Sequence, residues 1–193
     1  MHIAEYGLRL SSITIDADGS PSGYIAWYNH STDDHKIQFL RPSPKNEKFG
    51  VQRMEMLAIY FALVENQHHI VRIAESQEKR QKWLHQQDPL VVNIRSDSKT
   101  SIEQLQGISQ IRDAVLQRIC SAIKKLLDRM PYLIFFHHLE RTRNIAGLLL
   151  EQRRRKEEEK LLMYQYEKYY YHDINRLREF MLIGNPLMLL LHK

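Results

Sequence analysis

The chain has 193 residues, with 28 Lys and Arg against 23 Asp and Glu, for a formal charge of +5. That length holds one domain with an extension, or at most two small domains, and it suffices to bury a core. The single Cys120 excludes an intrachain disulfide framework and a cysteine-rich zinc site, and it suits a reducing compartment.

No apolar run approaches the roughly 20 residues of a membrane span. The opening Met1-His2-Ile3-Ala4-Glu5 lacks a basic-then-apolar leader, so a soluble, cytoplasmic protein with no membrane partner is expected. The mild basic excess is compatible with a polyanionic partner.

Ile13 to Ser20 alternates as a strand and ends in an acidic turn. Pro21-Ser22-Gly23 is turn chemistry, Gly23 to Tyr28 reads as a second strand paired with the first, and Lys36 to Leu40 completes an antiparallel meander. Arg41 to Phe49 is a loop. From Gln52 the apolar period becomes helical through Met54, Leu57, Ala58, Phe61 and Ala62, and this helix should run to about Asn66 as a crossover. His68 to Asp88 is helix-compatible and reads as an insertion or an extension of that helix. Leu90 to Ser98 has the profile of a central strand covered on both faces, and its end, Asp97-Ser98-Lys99-Thr100, can cap a following helix.

Ile102 and Leu105 mark a short helix closed at Gly107. A second helix is expected over about Ser109 to Arg129, with Ile111, Val115, Leu116, Ile119, Ile123, Leu126 and Leu127 on one side. Tyr132 to His138 reads as another buried strand, and Asn144 begins a last helix. From Glu151 the composition shifts to a charge run, then to tyrosines, then to an amphipathic stretch ending at Ile183. This predicts a domain over 1–152 and a helical C-terminal extension over 153–193. The tyrosines and terminal leucines of that extension could pair with another copy, giving a homo-oligomer through the C-terminal helix, or fold back on the sheet.

Acids fall at the end of the first strand (Asp16, Asp18), in the first helix (Glu55) and at the end of the central strand (Asp97). Remote in sequence, they can converge on one face of a mixed sheet, beyond the carboxyl ends of its strands, where ligands gather in such folds. Clustered carboxylates repel one another unless cations occupy the site, and Mg²⁺ is the usual occupant. Two such ions can stabilise the attacking and leaving oxygens of phosphodiester cleavage.

With these acids in this order, residues 10 to 152 resemble ribonuclease H of type 1, including its reverse-transcriptase and plant or archaeal versions. Asp18-Gly19-Ser20 resembles the opening aspartate motif, and Arg53-Met54-Glu55-Met56-Leu57-Ala58 is similar to the helix motif whose glutamate binds metal. Ser96-Asp97-Ser98 resembles the strand-end motif, and His138 to Gly147 the closing one. The resemblance implies an α/β, ribonuclease H-like mixed five-stranded sheet, an antiparallel meander plus parallel strands, flanked by helices. It also implies cleavage of the RNA strand of an RNA/DNA hybrid, with Mg²⁺ or Mn²⁺ held by Asp18, Glu55 and Asp97. Asp16 shares a strand face with Asp18 and is an alternative first ligand.

One position departs from the pattern: where the family's last metal-binding aspartate stands, this chain has Gly147. The fourth carboxylate is lost, or Glu151, one turn further along the helix, replaces it. His138 is the better-matched of an adjacent histidine pair for assisting proton transfer or product release. Arg95, Lys99, Arg141 and Arg143 could touch phosphates, and Ser20, Asn29 and Gln52 could meet 2′-hydroxyls. A salt bridge to Arg53 or Arg141 would be the non-metal way to satisfy Glu55. The alternative function is a catalytically inactive nucleic-acid-binding or assembly module that kept the fold and lost turnover.

Overall fold

The structure is a computed structural model that describes residues 12–41, 48–84, 90–130 and 132–183. Five strands form one mixed sheet in the order β3-β2-β1-β4-β5: β1 (Ser12–Gly19), β2 (Tyr24–Asn29), β3 (His35–Phe39), β4 (Val91–Ser96) and β5 (Leu133–His138). The meander β1-β2-β3 is antiparallel, whereas β1, β4 and β5 run parallel. The hairpin turns at Gly23, whose positive φ of 91° is a backbone state that glycine alone adopts freely.

Among the described residues four α-helices complete the fold: α1 (Gly50–Leu84), α2 (Lys99–Leu105), α3 (Ala114–Leu127) and α4 (Ile145–Ile183). Alternation along β1 and β4 turns Ile13, Ile15, Ala17, Val92 and Ile94 to one face, where they form the main core with Met54, Met56, Ile59, Leu63 and Ile70 of α1 and Leu116 and Ile123 of α3. The opposite face carries Thr14, Asp16 and Asp18 beside Asn93, Arg95 and Asp97. There the first turns of α4 bury Ala146 and Leu150 against Ala26, with Tyr24 and Ile37 alongside.

The crossover helix runs as one piece through His68 and His69 to Leu84, so the stretch after Asn66 is an extension of it. Ile70 is fully buried and Ile73 and Ala74 pack on the core, which keeps the helical period going past the polar histidines. Polar ties set its angle to the meander. Asn29 donates to Asn66 Oδ1 at 2.8 Å, and Trp27 Nε1 donates to Glu65 at 2.8 Å.

Three expectations are corrected. β4 is buried on one face only; Val91, Asn93 and Arg95 are half-exposed on the other, so its apolar run reflects an internal strand with one covered side. β5 is an edge strand, with Leu133 48% and Phe135 47% exposed while Phe136 and Ile134 face the core. Its Phe136 carbonyl is taken by Gln106 Nε2 at 2.8 Å, a side chain blunting an otherwise open edge. Helix α3 begins at Ala114 rather than Ser109, and Val115 is 39% exposed.

The late start of α3 has a local cause. Asp113 caps it by accepting from the Leu116 amide at 2.8 Å, and both its oxygens take a bidentate ion pair from Arg53 of α1, at 2.9 and 2.6 Å. Arg53, with these amides, holds the Asp113 carboxyl down at about 2, below its ordinary 3.8. A carboxylate depressed in the folded state stabilises above its unfolded value and loses that contribution as pH falls through the folded one. Thermal melts between pH 5 and pH 2 should therefore show wild type losing stability more steeply below pH 4 than Asp113→Asn, whose cap cannot titrate.

The chain divides between Glu151 and Gln152 into two compact units. Within the second, α4 carries Arg153–Glu157 and Arg154–Glu158 pairs at 2.8 and 3.7 Å along its own surface. No helix among the described residues is long and apolar enough to cross a membrane. The terminal leucines lie outside the described residues.

Candidate metal centre

Parallel pairing brings the carboxyl ends of β1 and β4 to the same edge of the sheet, and the register Asp16↔Arg95 sets Asp18 beside Asp97 on the α4 face. The two carboxyls lie close enough for the charge of Asp97 to act on Asp18. Glu55 reaches them from the second turn of α1, and Gly19 explains how it gets there. A Cβ on Gly19 would overlap the Met54 carbonyl and the Glu55 amide nitrogen, so glycine lets the backbone of α1 lie directly on the end of β1. The Asp-Gly pair thus works as a unit: the acid supplies the side chain, and the glycine admits the helix bearing the next acid.

Glu55 is not salt-bridged by Arg53, which is committed to Asp113. Its Oε2 accepts from the hydroxyls of Ser98 and Ser101, the latter at 3.4 Å. Both serines lie at the start of α2, where Ser98 is the N-cap and accepts from the Ser101 amide. Asp97 is oriented from the other side: Asn144 Nδ2 donates to its Oδ1 at 2.9 Å and to the Ala17 carbonyl at 3.3 Å. Asn144 is fully buried, and its Oδ1 has no hydrogen-bond partner among the described residues.

Crowding shows in the ionisation of these groups. Burial, reinforced by the charge of Asp97, lifts the Asp18 carboxyl from 3.8 to about 7, and Glu55 is raised mainly by burial. The cluster is therefore short of positive charge and prefers to keep a proton. Oxygen-only donors of this kind suit a hard cation such as Mg²⁺ or Mn²⁺. Among the described residues no three His, Cys, Asp or Glu side chains stand in a ready-made metal-ligand group. Asp18 and Asp97 face each other, and Glu55 turns to the two serines. Crowded carboxylate oxygens with no cation beside Asp18 among the described residues make a donor set that fits a divalent ion.

A carboxyl whose folded value is raised stabilises the fold below its unfolded value and loses that contribution as pH rises through the folded one. In a chelator, wild type should lose stability between pH 4 and pH 7 through Asp18. Asp18→Asn, uncharged throughout, should melt higher than wild type at pH 8 and show little difference at pH 4. Differential scanning calorimetry at the two pH values checks this.

Gly147 lies in the first turn of α4, and a Cβ there would stand 3.1 Å from Asp18 Oδ2. The position where a fourth carboxylate was expected thus faces Asp18, with no side chain on it. Glu151 is half-buried one turn further on.

Asp16 occupies a different place from Asp18. It is fully buried, with Arg95 Nε donating to its Oδ1 at 2.7 Å, His30 Nε2 at 2.9 Å and the Ile145 amide donating at 3.1 Å. These partners use up its carboxylate and tie β1 to β4 and to the start of α4.

Arg95 is accordingly engaged with Asp16 rather than standing free. Asn29 is corrected as a 2′-hydroxyl donor: it is fully buried, its amide given to Asn66 and its carbonyl to the Ser31 amide. Ser20 pairs with Ser22 at 2.8 Å, Gln52 is half-exposed in the first turn of α1, and Lys99 is exposed at the start of α2. Arg141 and Arg143 are exposed on a short 3-10 turn after β5. His138, exposed, ends β5 opposite Ser96, while His137 Nε2 lies 3.0 Å from Asn93 Oδ1. Sequence reasoning gave Ser98 a capping role and Asn144 a helix start but did not find that Ser98 and Ser101 hold Glu55 or that Asn144 holds Asp97. The spacing Ser98-x-x-Ser101 was a visible helix-start signal, but nothing in it points to a remote glutamate.

A mixed sheet in this strand order, with a crossover helix on one face, a closing helix on the other and acids at the adjoining ends of β1 and β4, is the ribonuclease H-like fold. Solved structures agree. The N-terminal RNase H domain of a Mycobacterium tuberculosis protein matches with TM-score 0.51 at 15% identity, covering 70% of this chain and 92% of that one. An RNase H1 from the halophilic archaeon Halobacterium salinarum gives 0.50 at 15%, covering 70% and 89%. An RNase H1 isolated from compost by a metagenomic approach gives 0.53 at 16%, covering 72% and 90%. No protein-family model and no curated protein sequence matches the chain.

Proposed function

We propose that this chain is a metal-dependent endonuclease that cleaves the RNA strand of RNA/DNA hybrids, weakened by the loss of the last carboxylate at Gly147. The observation that supports this reading is the crowding of Asp18 by Asp97, with Glu55 near enough to add to it and the Asp18 carboxyl lifted to about 7. Asp18, Glu55 and Asp97 would hold Mg²⁺ or Mn²⁺; Asp16, already saturated by Arg95, His30 and α4, would not. A divalent ion supplies charge stabilisation for the attacking and leaving oxygens of phosphodiester hydrolysis.

The chain's own residues have distinct tasks in this reading. Ser98 and Ser101 aim Glu55, and Asn144 aims Asp97. Lys99, Arg141 and Arg143, exposed, would take backbone phosphates, while Ser20 and Gln52 would meet 2′-hydroxyls. His138 would carry a proton to or from the departing oxygen. The hybrid approaches the sheet from the edge where β1 and β4 end. The single buried Cys120 suits a reducing, intracellular setting.

Gly147 favours a second reading, a binding module that kept the fold without turnover. Incubation with RNA/DNA hybrid, RNA duplex and DNA duplex, in Mg²⁺ and in Mn²⁺, tests the choice. Cleavage confined to the RNA of the hybrid supports the nuclease. Hybrid binding with no cleavage in either metal supports the module. Glu151→Gln added to the panel shows whether Glu151 stands in for the missing acid: activity should fall with it if so, and stay level if not.

A further inference from the structure

Residues 148–164 of α4 read Leu-Leu-Leu-Glu-Gln-Arg-Arg-Arg-Lys-Glu-Glu-Glu-Lys-Leu-Leu-Met-Tyr. Six of the eight residue pairs that flank Lys156 mirror one another, the exceptions being Gln152 with Lys160 and Glu151 with Leu161. Arg153, Arg154 and Arg155 on one side mirror Glu159, Glu158 and Glu157 on the other. Six to eight residues out, Leu150, Leu149 and Leu148 mirror Leu162, Met163 and Tyr164. We propose that α4 pairs antiparallel with α4 of a second copy of this chain, about a two-fold axis at Lys156. This proposal is independent of the nuclease reading.

Helical geometry puts the symmetry on a usable surface. Leu149, Arg153, Lys156, Glu159 and Met163 are spaced 4, 3, 3 and 4 residues apart, so they fall on one stripe of the helix. Part of that stripe is a shallow hollow lined by Lys156, Glu159, Lys160, Met163 and Tyr164. A second copy reversed about Lys156 sets Leu149 against Met163 and Arg153 against Glu159, at both ends at once, as an isologous interface requires. A parallel arrangement would instead align each basic block with its like, so charge complementarity selects the antiparallel one. Lys156 meets only itself at the axis, which is the one unfavourable pairing.

The same segment leaves apolar side chains in solvent. Met163, 61% exposed, lies on the stripe, and Leu148 at 45% and Tyr164 at 66% flank it, so apolar side chains border the charges at both ends. The same-helix Arg153–Glu157 and Arg154–Glu158 pairs draw on the same charges, so a test must separate pairing within a helix from pairing between copies.

The test uses the full chain and light scattering, with Lys156→Cys and Met163→Cys variants oxidised under mild conditions. Wild type is expected at twice the 23.1 kDa chain mass. In the antiparallel pair, residue 156 of each copy adjoins its counterpart, whereas the two 163 positions stand about 21 Å apart at 1.5 Å per residue. Disulfide-linked dimer should therefore form through Cys at 156 and not at 163.

Two charge variants complete the test. A chain with Arg153→Glu, Arg154→Glu and Arg155→Glu, and one with Glu157→Arg, Glu158→Arg and Glu159→Arg, should each be monomeric alone. Mixed in equal amounts, they should return to the doubled mass. Same-helix pairs are lost in both variants, so recovery on mixing reads the contact between copies alone. A monomeric wild type, cross-linking at 163 as readily as at 156, or a mixture that stays monomeric would each overturn the proposal.

Discussion

Gly147→Asp is expected to raise Mg²⁺-dependent cleavage of an RNA/DNA hybrid by about 10- to 100-fold, the range over which the surroundings of a metal site tune affinity and activity. The direction of the glycine is the reason: its missing Cβ would stand 3.1 Å from Asp18 Oδ2, so an aspartate there adds a carboxylate to the existing cluster. The same substitution should lower thermal stability in a chelator, because it places another negative charge beside an Asp18 that already resists ionising. Added Mg²⁺ should more than restore it. Kinetics with and without metal, beside melts in the same buffers, check both halves. A variant that gains nothing in Mg²⁺ would mean that position 147 does not serve the metal site.

Gly19→Ala is expected to be costly for a different reason. The added methyl would overlap the backbone of Met54 and Glu55, which no side-chain rotation can relieve, so α1 must move off the end of β1. Overpacking of this sort costs about 1–3 kcal/mol. In a chain of this size that lowers the melting temperature by about 2–12 °C, at 2–4 °C per kcal/mol. Activity should fall further than stability, because the displaced residue is Glu55. Melting curves and hybrid cleavage at a temperature where the variant is fully folded separate the two effects. Full activity in a destabilised Gly19→Ala would show that the exact placement of Glu55 is immaterial.

Much of the fold was legible because local chemistry and global arrangement agree. The Pro21-Ser22-Gly23 turn, the helical period of α1 and the apolar run before Asp97 each specify an element, and their order leaves few topologies. Burial was less legible. Leu133 to His138 is as apolar as an internal strand, and only the strand order shows it to be an edge. The start of α3 was misplaced because its cap, Asp113, answers to Arg53 sixty residues earlier.

At the candidate site, residue type and spacing marked the acids themselves. What could not be read was which acids are already paired. Asp16 and Asp18 share a strand face and look equivalent in sequence, yet Asp16 is paired with Arg95, His30 and the first amide of α4, whereas Asp18 faces Asp97. That distinction depends on partners from other strands and from a helix 129 residues away. The roles of Ser98, Ser101 and Asn144 were hidden for the same reason.

Hybrid cleavage in Mn²⁺ by wild type and by Asp97→Asn, side by side, is the most direct test of whether these acids form one working centre. The substitution keeps the size of the side chain and removes the charge beside Asp18. Wild type should release RNA fragments, and the variant should release none above background while melting no lower than wild type in chelator. Cleavage by Asp97→Asn at the wild-type rate would contradict the account, whatever sheet the chain folds into.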